Sequence, residues 1–587
     1  MKELIRAAIS EALKTLGIVE VNFVVDHPTD KNANADYFSN VAMGAARFEA
    51  VEGSEYSGTK IKATEVIGGS LSKNELWNSP KKLAELLKTK LENVIPQVEN
   101  IEVAGPGFLN FTLSRDFFAE KITTARAASD GWGRNDSWAG KKVLVEYTDP
   151  NPFKEFHIGH LFTNAVGESI ARLFMMNGAD TKRVNYQGDV GLHVAHSLWG
   201  MQKLGITPGS VFTAKDLGKA YALGATTYKT DEGAAAEIRE INKKVYSRED
   251  EIINVLYDAG RAVSLAYFET IYALVDTSFD EYFFESVAGT QGKALVLNNP
   301  TIFPESDGAR IFDGEARGLH TRVFLNKEGL PTYEAKELAL AKLKDERFGG
   351  YDHSVISTAN EITEYFKVLL CAMGEVYPDL AKKTEHIGHG TVRLASGKMS
   401  SRTGDVIPSI EFIDEVAQSA LEKMRENGLE DAALSRDIAI AAIKYATLKG
   451  SILQNSVFDK DRALSFEGDS GPYLQYTHAR ICSVLGKATA AGVLPSTKLP
   501  PKTPYAVEKL VYQFPEVIAT ALSERAPHKV AGYLIELAGS FNSFYAQEKI
   551  ADANDEYAPY KAAVAEAVRT TLKNGLWTLG IKAPERM

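Results

Sequence analysis

The fold is decided by the stretch KKVLVEYTDPNPFKEFHIGHLFTNAVGESIARLFMMNGADTKRVNYQ, residues 141–187. It begins with a short apolar, β-branched run, which is typical of a strand buried on both faces of a parallel sheet. After a proline-rich turn, residues 161–178 repeat apolar side chains at helical spacing and end in an Asn-Gly cap. Residues 183–187 form the next strand-like run. Strand, turn, helix and strand in this order predict a right-handed βαβ unit, and the α/β pattern extends over residues 141–450.

The tetrapeptide His157-Ile158-Gly159-His160 lies where the turn meets the helix. The N–H groups and the dipole at a helix N-terminus favour anions. Two imidazoles one turn apart lie on the same side of the helix and can donate to phosphate oxygens, while Gly159 lets a planar base approach the backbone. The position predicts a nucleotide-phosphate site. The alternative is a pair of helix-capping or core histidines.

The same four letters occur again at residues 386–389. This second copy is followed by GTVRLASG, which predicts a strand and a turn, and no helix begins there. Only the first copy has the helix N-terminus that attracts a phosphate. We therefore assign phosphate binding to the first copy.

A second candidate loop, GKMSSRTG, covers residues 397–404. It places two small hydroxyls, Ser400 and Ser401, and two cations, Lys398 and Arg402, between glycines. Such a loop can wrap a triphosphate, because the cations neutralise charge and the hydroxyls donate hydrogen bonds. Loops of this composition are also common on ordinary surfaces. The hypothesis gains its strength from the pairing of this loop with the histidine tetrapeptide.

Other catalytic motifs are missing from the sequence. It contains no HExxH zinc helix and no GxGxxG after a strand, and GTQGKA at residues 289–294 lacks the full P-loop pattern. His193 and His196 form a lone i, i+3 pair, for which a structural role is the simpler interpretation. Cys371 and Cys482 lie too far apart in sequence for a cysteine-rich zinc site or a disulfide framework. We expect no protein-bound metal and a reducing, cytoplasmic location.

The composition is that of an ordinary globular protein. The chain has 587 residues, 44% hydrophobic and 24% charged, which suggests three or four domains at ~150 residues each. No apolar run approaches the ~18 residues that span a bilayer, and the N-terminus carries charges throughout. The net charge of −11 argues mildly against a DNA-coating protein. We expect neither a membrane nor DNA as a partner.

The flanking regions differ from the central one. Residues 1–112 mix helices and strands, including a hairpin around the Gly-Pro-Gly turn of residues 101–113. Residues 132–140 are polar and glycine-rich, which indicates a linker. Residues 451–587 are mostly helical and nearly neutral, so they repel a polyanion least.

Together these segments resemble a known family. The HIGH tetrapeptide with KMSSR resembles the signature pair of class I aminoacyl-tRNA synthetases, and the flanking residues resemble arginyl-tRNA synthetase specifically. Further stretches similar to that family are ADYFSNVAM (35–43), VAGPGFLNF (103–111), VNYQGDVGLHV (184–194), FDEYFFES (279–286), TYEAKELALAK (332–342), FEGDSGPYLQYTHARICSVL (466–485) and APERM (583–587).

The resemblance implies a multidomain fold of α/β and α parts. We expect an N-terminal α+β domain over residues 1–115 that contacts the tRNA elbow. A Rossmann-like parallel-sheet catalytic domain with insertions would cover residues 116–450, and a C-terminal helical-bundle domain that binds the anticodon would cover residues 451–587. We expect the protein to act as a monomer.

The implied reaction is that of an arginine–tRNA ligase. ATP and L-arginine give arginyl-adenylate, and the 3′ terminal ribose of tRNA(Arg) then accepts the arginyl group, in a family whose first step requires tRNA. Such chemistry depends on positioning and charge stabilisation more than on a strong base. The catalytic residues implied are His157, His160, Lys154, Lys398 and Arg402. Gly159, Met399, Ser400 and Ser401 would also bind ATP, and Mg²⁺ would be held through the ATP phosphates.

The resemblance also implies the residues that bind arginine and tRNA. Arginine would be bound by Asn151, Glu285, Tyr333 and Glu337, with Asp189 as a further candidate whose role in its turn also explains its presence. The tRNA would be contacted by Phe38, Asn40, Tyr473, Tyr476 and Tyr545.

Two positions depart from the family pattern. Glu337 stands where many relatives have an aspartate, and Ser401 stands where the general class has a second lysine. Lys154, Lys398 and Arg402 would therefore share the phosphate charge. Two alternatives stay open: a class I synthetase for another amino acid, and a non-catalytic tRNA-binding relative.

Overall fold

The computed structural model describes residues 1–18, 21–28, 35–46, 79–395, 407–426 and 428–587. Its chain divides into two compact units, each made of three stretches. The smaller unit comprises Met1–Ala128, Ala488–Tyr512 and Gln547–Ala567. The larger unit comprises Ser129–Lys487, Gln513–Ala546 and Val568–Met587.

The smaller unit is α+β. Its helices are α1 (Lys2–Thr15), α2 (Val41–Ala46), α3 (Pro80–Leu91) and α4 (Arg115–Ala128). Its strands are β1 (Val25–Asp26), β2 (Tyr37–Ser39), β3 (Val98–Ala104) and β4 (Phe108–Leu113), which form an antiparallel sheet in the order β1-β2-β4-β3.

Helix α1 packs one apolar face into the core of this unit. Ile5, Ile9 and Ala12 are buried, whereas Leu4 is exposed because it lies outside the apolar stripe. The predicted hairpin is confirmed: β3 and β4 pair across the turn at Gly105 and Gly107.

The larger unit is built on a five-stranded parallel sheet. Its strands are β5 (Lys142–Glu146), β6 (Asp180–Gln187), β7 (Glu281–Phe284), β11 (His353–Ala359) and β12 (Thr384–His389), in the order β12-β11-β5-β6-β7. This is the doubly wound, Rossmann-like order, so the predicted fold class is confirmed. Ligands of such sheets bind at the carboxyl ends of the strands, where the order reverses between β5 and β11.

The first crossover helix, α5 (Ile158–Met176), lies almost wholly inside the larger unit. It begins three residues before the predicted start. His157, whose backbone is extended, is the N-cap residue, and the helix follows directly after it. The predicted cap is present, with Asn177 at the C-cap and Gly178 at φ +88°.

Further helices follow in the central region. They are α6 (Leu192–Lys203), α7 (Ala214–Thr230), α8 (Glu232–Ser247), α9 (Glu251–Leu274), α10 (Glu285–Asn298), α11 (Tyr333–Phe348), α12 (Thr363–Val376), α13 (Pro378–Lys383), α14 (Ser409–Glu426), α15 (Ala432–Leu448) and α16 (Lys460–Ala463). Asp231 and Asp250 cap α8 and α9 with their side chains, which explains the break between them.

Two small sheets accompany the main one. Strands β8 (Glu305–Ser306), β9 (Ala309–Phe312) and β10 (Arg322–Leu325) are antiparallel, whereas β13 (Val392–Leu394) and β14 (Ser456–Phe458) are parallel. The C-terminal region is helical as predicted, with α17 (Gly471–Ala490), α18 (Ala506–Val511), α19 (Phe514–Ser523), α20 (Pro527–Gln547) and α21 (Ala558–Thr578). Among all the helices described, none has the length and apolar character needed to cross a bilayer.

The segment expected to be a polar linker, residues 132–140, has no helix or strand, yet it is anchored. Trp132 is buried, and its Nε1 donates to Thr571 Oγ1 at 3.1 Å. The segment thus lacks regular structure, as expected of a linker, but Trp132 anchors it, because a large apolar ring gains more from burial than from solvent contact.

Candidate active site

The loop between β5 and α5 has an unusual backbone. Thr148, Asp149 and Phe153 have positive φ angles of 78°, 44° and 68°. Residues other than glycine adopt a positive φ at a cost of ~1–3 kcal/mol each, and residues with such strained backbones cluster at functional sites. The loop ends at the HIGH tetrapeptide, so its conformation sets the position of the two histidines.

Side-chain hydrogen bonds hold this loop in place. Asp149 Oδ1 accepts from the Tyr186 N–H at 2.8 Å, and Thr148 Oγ1 accepts from Asn164 Nδ2 at 3.1 Å. The Phe153 N–H donates to the buried Ser264 Oγ at 2.9 Å. The strained residues are thus fixed by neighbours from β6, α5 and α9.

We expect Ser264→Ala to lower the free energy of unfolding by about 1–2 kcal/mol, because it leaves the buried Phe153 N–H without its acceptor. Denaturant unfolding measures the change. Ser543→Ala is the matched control: that exposed hydroxyl only bonds back to Gly539 in its own helix, so the loss should stay below about 0.5 kcal/mol. Equal losses in the two variants would contradict the anchoring role of Ser264.

The two predicted histidines lie side by side at the start of α5. Their rings stack with centroids 3.7 Å apart at an interplanar angle of 21°. The His157 N–H donates to His160 Nδ1 at 3.2 Å, so the proton of the His160 ring is on Nε2. A Cβ on Gly159 would lie 3.0 Å from the His157 ring, and only glycine leaves this approach open.

Both imidazoles are neutral at neutral pH. Burial and, to a smaller extent, the charge of Lys154 together lower the pKa of His157 to about 4. Burial also places the pKa of His160 well below its usual range, with smaller contributions from His157 and Lys154. The pair can therefore offer N–H donors to phosphate oxygens without adding net positive charge.

Lys154 is the lysine whose charge acts on these rings. Its charge lowers the pKa of His157, His160, His193 and His196 alike. Its Nζ lies 4.7 Å from the centroid of the Tyr221 ring. The other predicted phosphate-binding residues, Lys398, Met399, Ser400, Ser401 and Arg402, lie outside the described residues.

The predicted arginine-binding residues converge at the carboxyl ends of β6 and β7. A Cβ on Gly188 would lie 2.3 Å from Asn151 Oδ1 and 3.1 Å from Glu285 Oε1, so both side chains meet over this glycine. A cavity of about 850 Å³ opens beside them and is lined in part by Asn151, Lys154, Tyr333 and Lys336. The Tyr333 ring is 61% exposed at its edge.

Glu285 is buried and already holds a cation of the chain. Its Oε2 lies 2.5 Å from Lys336 Nζ, which is also 5.3 Å from the Tyr333 ring centroid. Burial raises the pKa of Glu285, while Lys336 opposes that effect. Oε1 stays directed at Asn151 and Gly188, so one oxygen of Glu285 remains available for a ligand.

Glu337 lies one helical position beyond Lys336, among other carboxylates. Burial, followed by the charge of Glu146, raises the pKa of Glu337 well above its usual range, and Asp149 and Glu285 act in the same direction. Such a carboxylate becomes stable as an anion when a cation binds beside it.

Asp189 has a structural role in the same region. Its oxygens accept from the N–H and the hydroxyl of Ser286 at 2.8 and 2.7 Å and from Tyr257 at 3.0 Å, and Arg261 lies 3.2 Å away. These bonds fix the start of α10, where Glu285 lies. Direct contact of Asp189 with arginine stays a prediction.

Sequence reasoning missed several residues of this cluster, among them Glu146, Asp149, Tyr186, Lys336 and Lys344. Glu146 offered a signal, since a carboxylate at the end of an otherwise apolar buried strand needs a partner. That partner is Lys344, whose Nζ lies 2.9 Å from Glu146 Oε2.

A second cavity, of about 820 Å³, lies in the C-terminal helical region of the larger unit and includes Tyr476, Arg480, Tyr545 and Met587 in its lining. Tyr476 is 37% exposed, and the Arg480 guanidinium lies 4.7 Å from its ring centroid. Tyr473 lies further inside, where its hydroxyl accepts from Asn542 Nδ2 at 2.9 Å. Two of the three predicted tyrosines thus reach one groove.

The two tRNA candidates of the smaller unit lie at β2. Phe38 is half-buried and meets Phe108 edge to face at 5.9 Å. The Asn40 side chain accepts from the Val24 N–H at 2.8 Å, so it connects two segments of its own unit.

The second HIGH copy lies at the end of β12, as its context predicted. The His386 ring stacks on Phe366 at 3.8 Å, and His389 is buried with Nδ1 2.8 Å from the Gly390 carbonyl. His193 and His196 lie on α6, and no cluster of three or more potential metal ligands occurs in the described ranges.

Comparison with known proteins agrees with this geometry. The model of the tRNA synthetase class I (R) catalytic domain matches residues 124–460, more than half of the chain. Together with the doubly wound sheet and the paired histidines, it defines a class I aminoacyl-tRNA synthetase. The arginyl-tRNA synthetase N-terminal domain model matches residues 1–113, and the DALR anticodon-binding domain model matches residues 474–587. The chain therefore belongs to the arginyl-tRNA synthetase family, and its reaction is the activation of arginine and the charging of tRNA.

Individual relatives agree with this assignment. An arginine–tRNA ligase from Clostridium acetobutylicum is 30% identical over 522 residues, covering 87% of this chain and 92% of the relative. The arginyl-tRNA synthetase structure from Thermus thermophilus is 25% identical and aligns over 100% of both chains with a TM-score of 0.77. The Plasmodium falciparum arginyl-tRNA synthetase shares the fold at 19% identity, with a TM-score of 0.78 over 100% of this chain and 99% of that one.

Proposed function

We propose that the N-terminus of α5 binds the ATP phosphates through the N–H groups of His157 and His160. The observation that carries this assignment is the stacked, neutral histidine pair at a helix start, where backbone N–H groups already favour an anion. Gly159 leaves room for the adenine. As negative charge develops on the α-phosphate, preorganised donors of this kind stabilise the transition state.

The positive charge comes from lysine and arginine side chains and from Mg²⁺. Lys154 acts beside the histidines, and Lys398 and Arg402 act on the leaving pyrophosphate with Met399, Ser400 and Ser401. Mg²⁺ is carried by the ATP phosphates and water, which suits its preference for few protein ligands.

Arginine binds in the cavity beside Asn151. Glu285 and Glu337 accept hydrogen bonds from the planar guanidinium, which has five donors and a permanent charge. Tyr333 covers the apolar stem, and Asp189 keeps Glu285 in place through α10. The α-carboxylate then faces the α-phosphate of ATP and attacks it, so that arginyl-adenylate forms and pyrophosphate leaves.

The tRNA is bound by three parts of the chain: residues 1–115 at the elbow, 116–450 at the acceptor end and 451–587 at the anticodon. The matched ranges of the three family models support these boundaries. Phe38 and Asn40 contact the elbow, and Tyr473, Tyr476 and Tyr545 contact the anticodon loop. We infer a cytoplasmic monomer, since one chain carries both catalytic and anticodon-binding domains and acts in translation.

The test is an aminoacylation screen of the full chain with each of the twenty amino acids and total tRNA. We expect attachment of arginine alone, to arginine-accepting tRNA alone. Charging with another amino acid would support the other class I alternative. No charging by a folded chain that still binds tRNA would support the non-catalytic alternative.

We expect Tyr476→Ala to raise the KM for tRNA about tenfold, because one base would lose its stacking partner, at a cost of about 1–3 kcal/mol. Steady-state aminoacylation with tRNA varied measures it. Tyr476→Phe is the matched control, since it keeps the stacking ring and removes only the hydroxyl. An unchanged KM for tRNA in Tyr476→Ala would exclude a stacking role for this ring.

A further inference from the structure

Four carboxylates lie at the carboxyl edge of the main sheet, and two of them are neutralised by lysines. Lys344 Nζ lies 2.9 Å from Glu146 Oε2 and 3.4 Å from Ser354 Oγ. Lys336 Nζ lies 2.5 Å from Glu285 Oε2. All four partners of these two ion pairs are buried, and each lysine lies within ion-pair distance of one carboxylate.

The other two carboxylates, Asp149 and Glu337, have no lysine, arginine or histidine within ion-pair distance among the described residues, although the charge of Lys344 acts on both. Asp149 is held by the strained loop, and its Oδ1 accepts the Tyr186 N–H at 2.8 Å. Two half-buried like charges without an ion-pair partner cannot both stay ionised at low cost.

A further buried group at this cluster lacks a partner. Tyr186 is only 7% exposed, and its Oη has no hydrogen-bond partner in the described chain, although the charges of Glu285 and Glu337 both raise its pKa. The buried Tyr365 Oη is also unpartnered among the described residues, and the charge of Glu337 raises the pKa of Tyr365. Buried polar atoms are normally satisfied, so this cluster is built for a ligand that brings donors and positive charge.

We propose that Asp149 joins Glu337 in binding the cationic end of arginine, and that the two acids share one proton in the free enzyme and release it when arginine binds. This inference rests on the proposed function, because it takes the cluster beside Asn151 as the arginine site. The proton passes to the solvent, and the guanidinium replaces it as the neutralising charge.

The surroundings determine the sign of the pH dependence. Burial and then Glu146 raise the pKa values of Asp149 and Glu337 well above the usual range. The titratable groups that face the pair are Glu146, Tyr186, Tyr272, Glu285, Lys344 and Tyr365. A bound cation lowers both pKa values, so arginine affinity should rise with pH between the bound and free values, up to about tenfold per pH unit.

The experiment is isothermal titration of the full chain with L-arginine at pH 7, in buffers with different ionisation enthalpies. The dependence of the measured heat on buffer gives the protons released. We expect release approaching one proton per arginine and an affinity that rises from pH 6 to pH 8. Arginine binding with the same heat in all buffers would overturn the proposal, whereas no arginine binding at all would instead count against the proposed function.

Isosteric variants locate the proton. Asp149→Asn and Glu337→Gln each leave a single acid, and each should reduce the proton release at least twofold. Circular dichroism and the ATP affinity check that each variant folds. If both variants fold, bind arginine and still release as many protons as the parent chain, other groups carry the proton and the assignment to this pair is wrong; if only one folds, the same criterion applies to it.

Discussion

Replacing His160 by alanine should slow adenylate formation by ~10²-fold or more, a loss typical of one preorganised donor to a developing charge. The His160 Nδ1 accepts the His157 N–H at 3.2 Å, so its Nε2–H is the part of the ring left for a phosphate. The variant also removes the surface on which the His157 ring stacks. Single-turnover formation of arginyl-adenylate, with tRNA present, measures the effect.

The second HIGH copy supplies the control within the same chain. His389→Ala removes a buried imidazole of the same tetrapeptide, but one at a strand end whose hydrogen bond, among the described residues, goes to the Gly390 carbonyl. It should leave the chemical step within about twofold, with a stability loss of ~1–3 kcal/mol for the disturbed buried site. If His389→Ala were the slower enzyme, the phosphate site would have been assigned to the wrong copy.

The fold was predictable from the sequence where local signals and burial agree. Residues 141–187 combine a doubly buried strand, a capped helix and a second strand, and each was found near its predicted position. Trp132 shows the limit of composition: its polar, glycine-rich neighbours indicated a linker, but a single buried ring anchors the segment. The partners of that ring are ~440 positions away, and local patterns carry no information at that range.

The candidate site was only partly predictable. The histidines, Asn151 and Glu285 followed from motif and resemblance, and the structure brings them to one edge of the sheet. Asp149 was missed because an Asp-Pro pair is an ordinary turn signal, and only the backbone at φ 44° reveals a constrained carboxylate. The partner of Glu285 was also unforeseen, since Lys336 lies 51 residues away and its pairing depends on how α10 and α11 pack.

The second large effect concerns the choice of amino acid. Glu337→Gln keeps the size of the side chain but removes its charge, so kcat/KM for arginine should fall by about 2–4 kcal/mol, as for a broken buried charge pair. The KM for ATP should change less than twofold, because the histidine site is separate from this carboxylate. Glu334→Gln is the matched control: it lies on the same helix, but its buried carboxylate faces Arg322 at 3.5 Å.

Glu285→Gln should have a mixed effect. It removes one acceptor for the guanidinium, but it also leaves the buried Lys336 ammonium without its partner. We therefore expect a loss of kcat/KM for arginine together with a lower melting temperature, whereas Glu337→Gln should not lower the melting temperature. A carboxylate whose pKa is raised in the folded chain destabilises that chain as pH rises above its usual pKa, so its removal relieves repulsion.

The same argument fixes how the Glu337→Gln loss varies with pH and with substrate. Glu337 must be ionised to bind the guanidinium, so kcat/KM for arginine of the parent chain should rise from pH 6 to pH 8. That of the variant should rise less, so the difference in kcat/KM between the two should widen.

Citrulline has lost the charge and would place a carbonyl against the carboxylates, and such buried mismatches reach ~10⁴-fold discrimination. Discrimination against citrulline should therefore shrink in Glu337→Gln, because the amide can donate to that carbonyl. Steady-state kinetics with arginine, citrulline and ATP varied, at three pH values, tests both the pH dependence and the discrimination against citrulline. Normal kcat/KM for arginine in both Glu285→Gln and Glu337→Gln would mean that other groups bind the guanidinium.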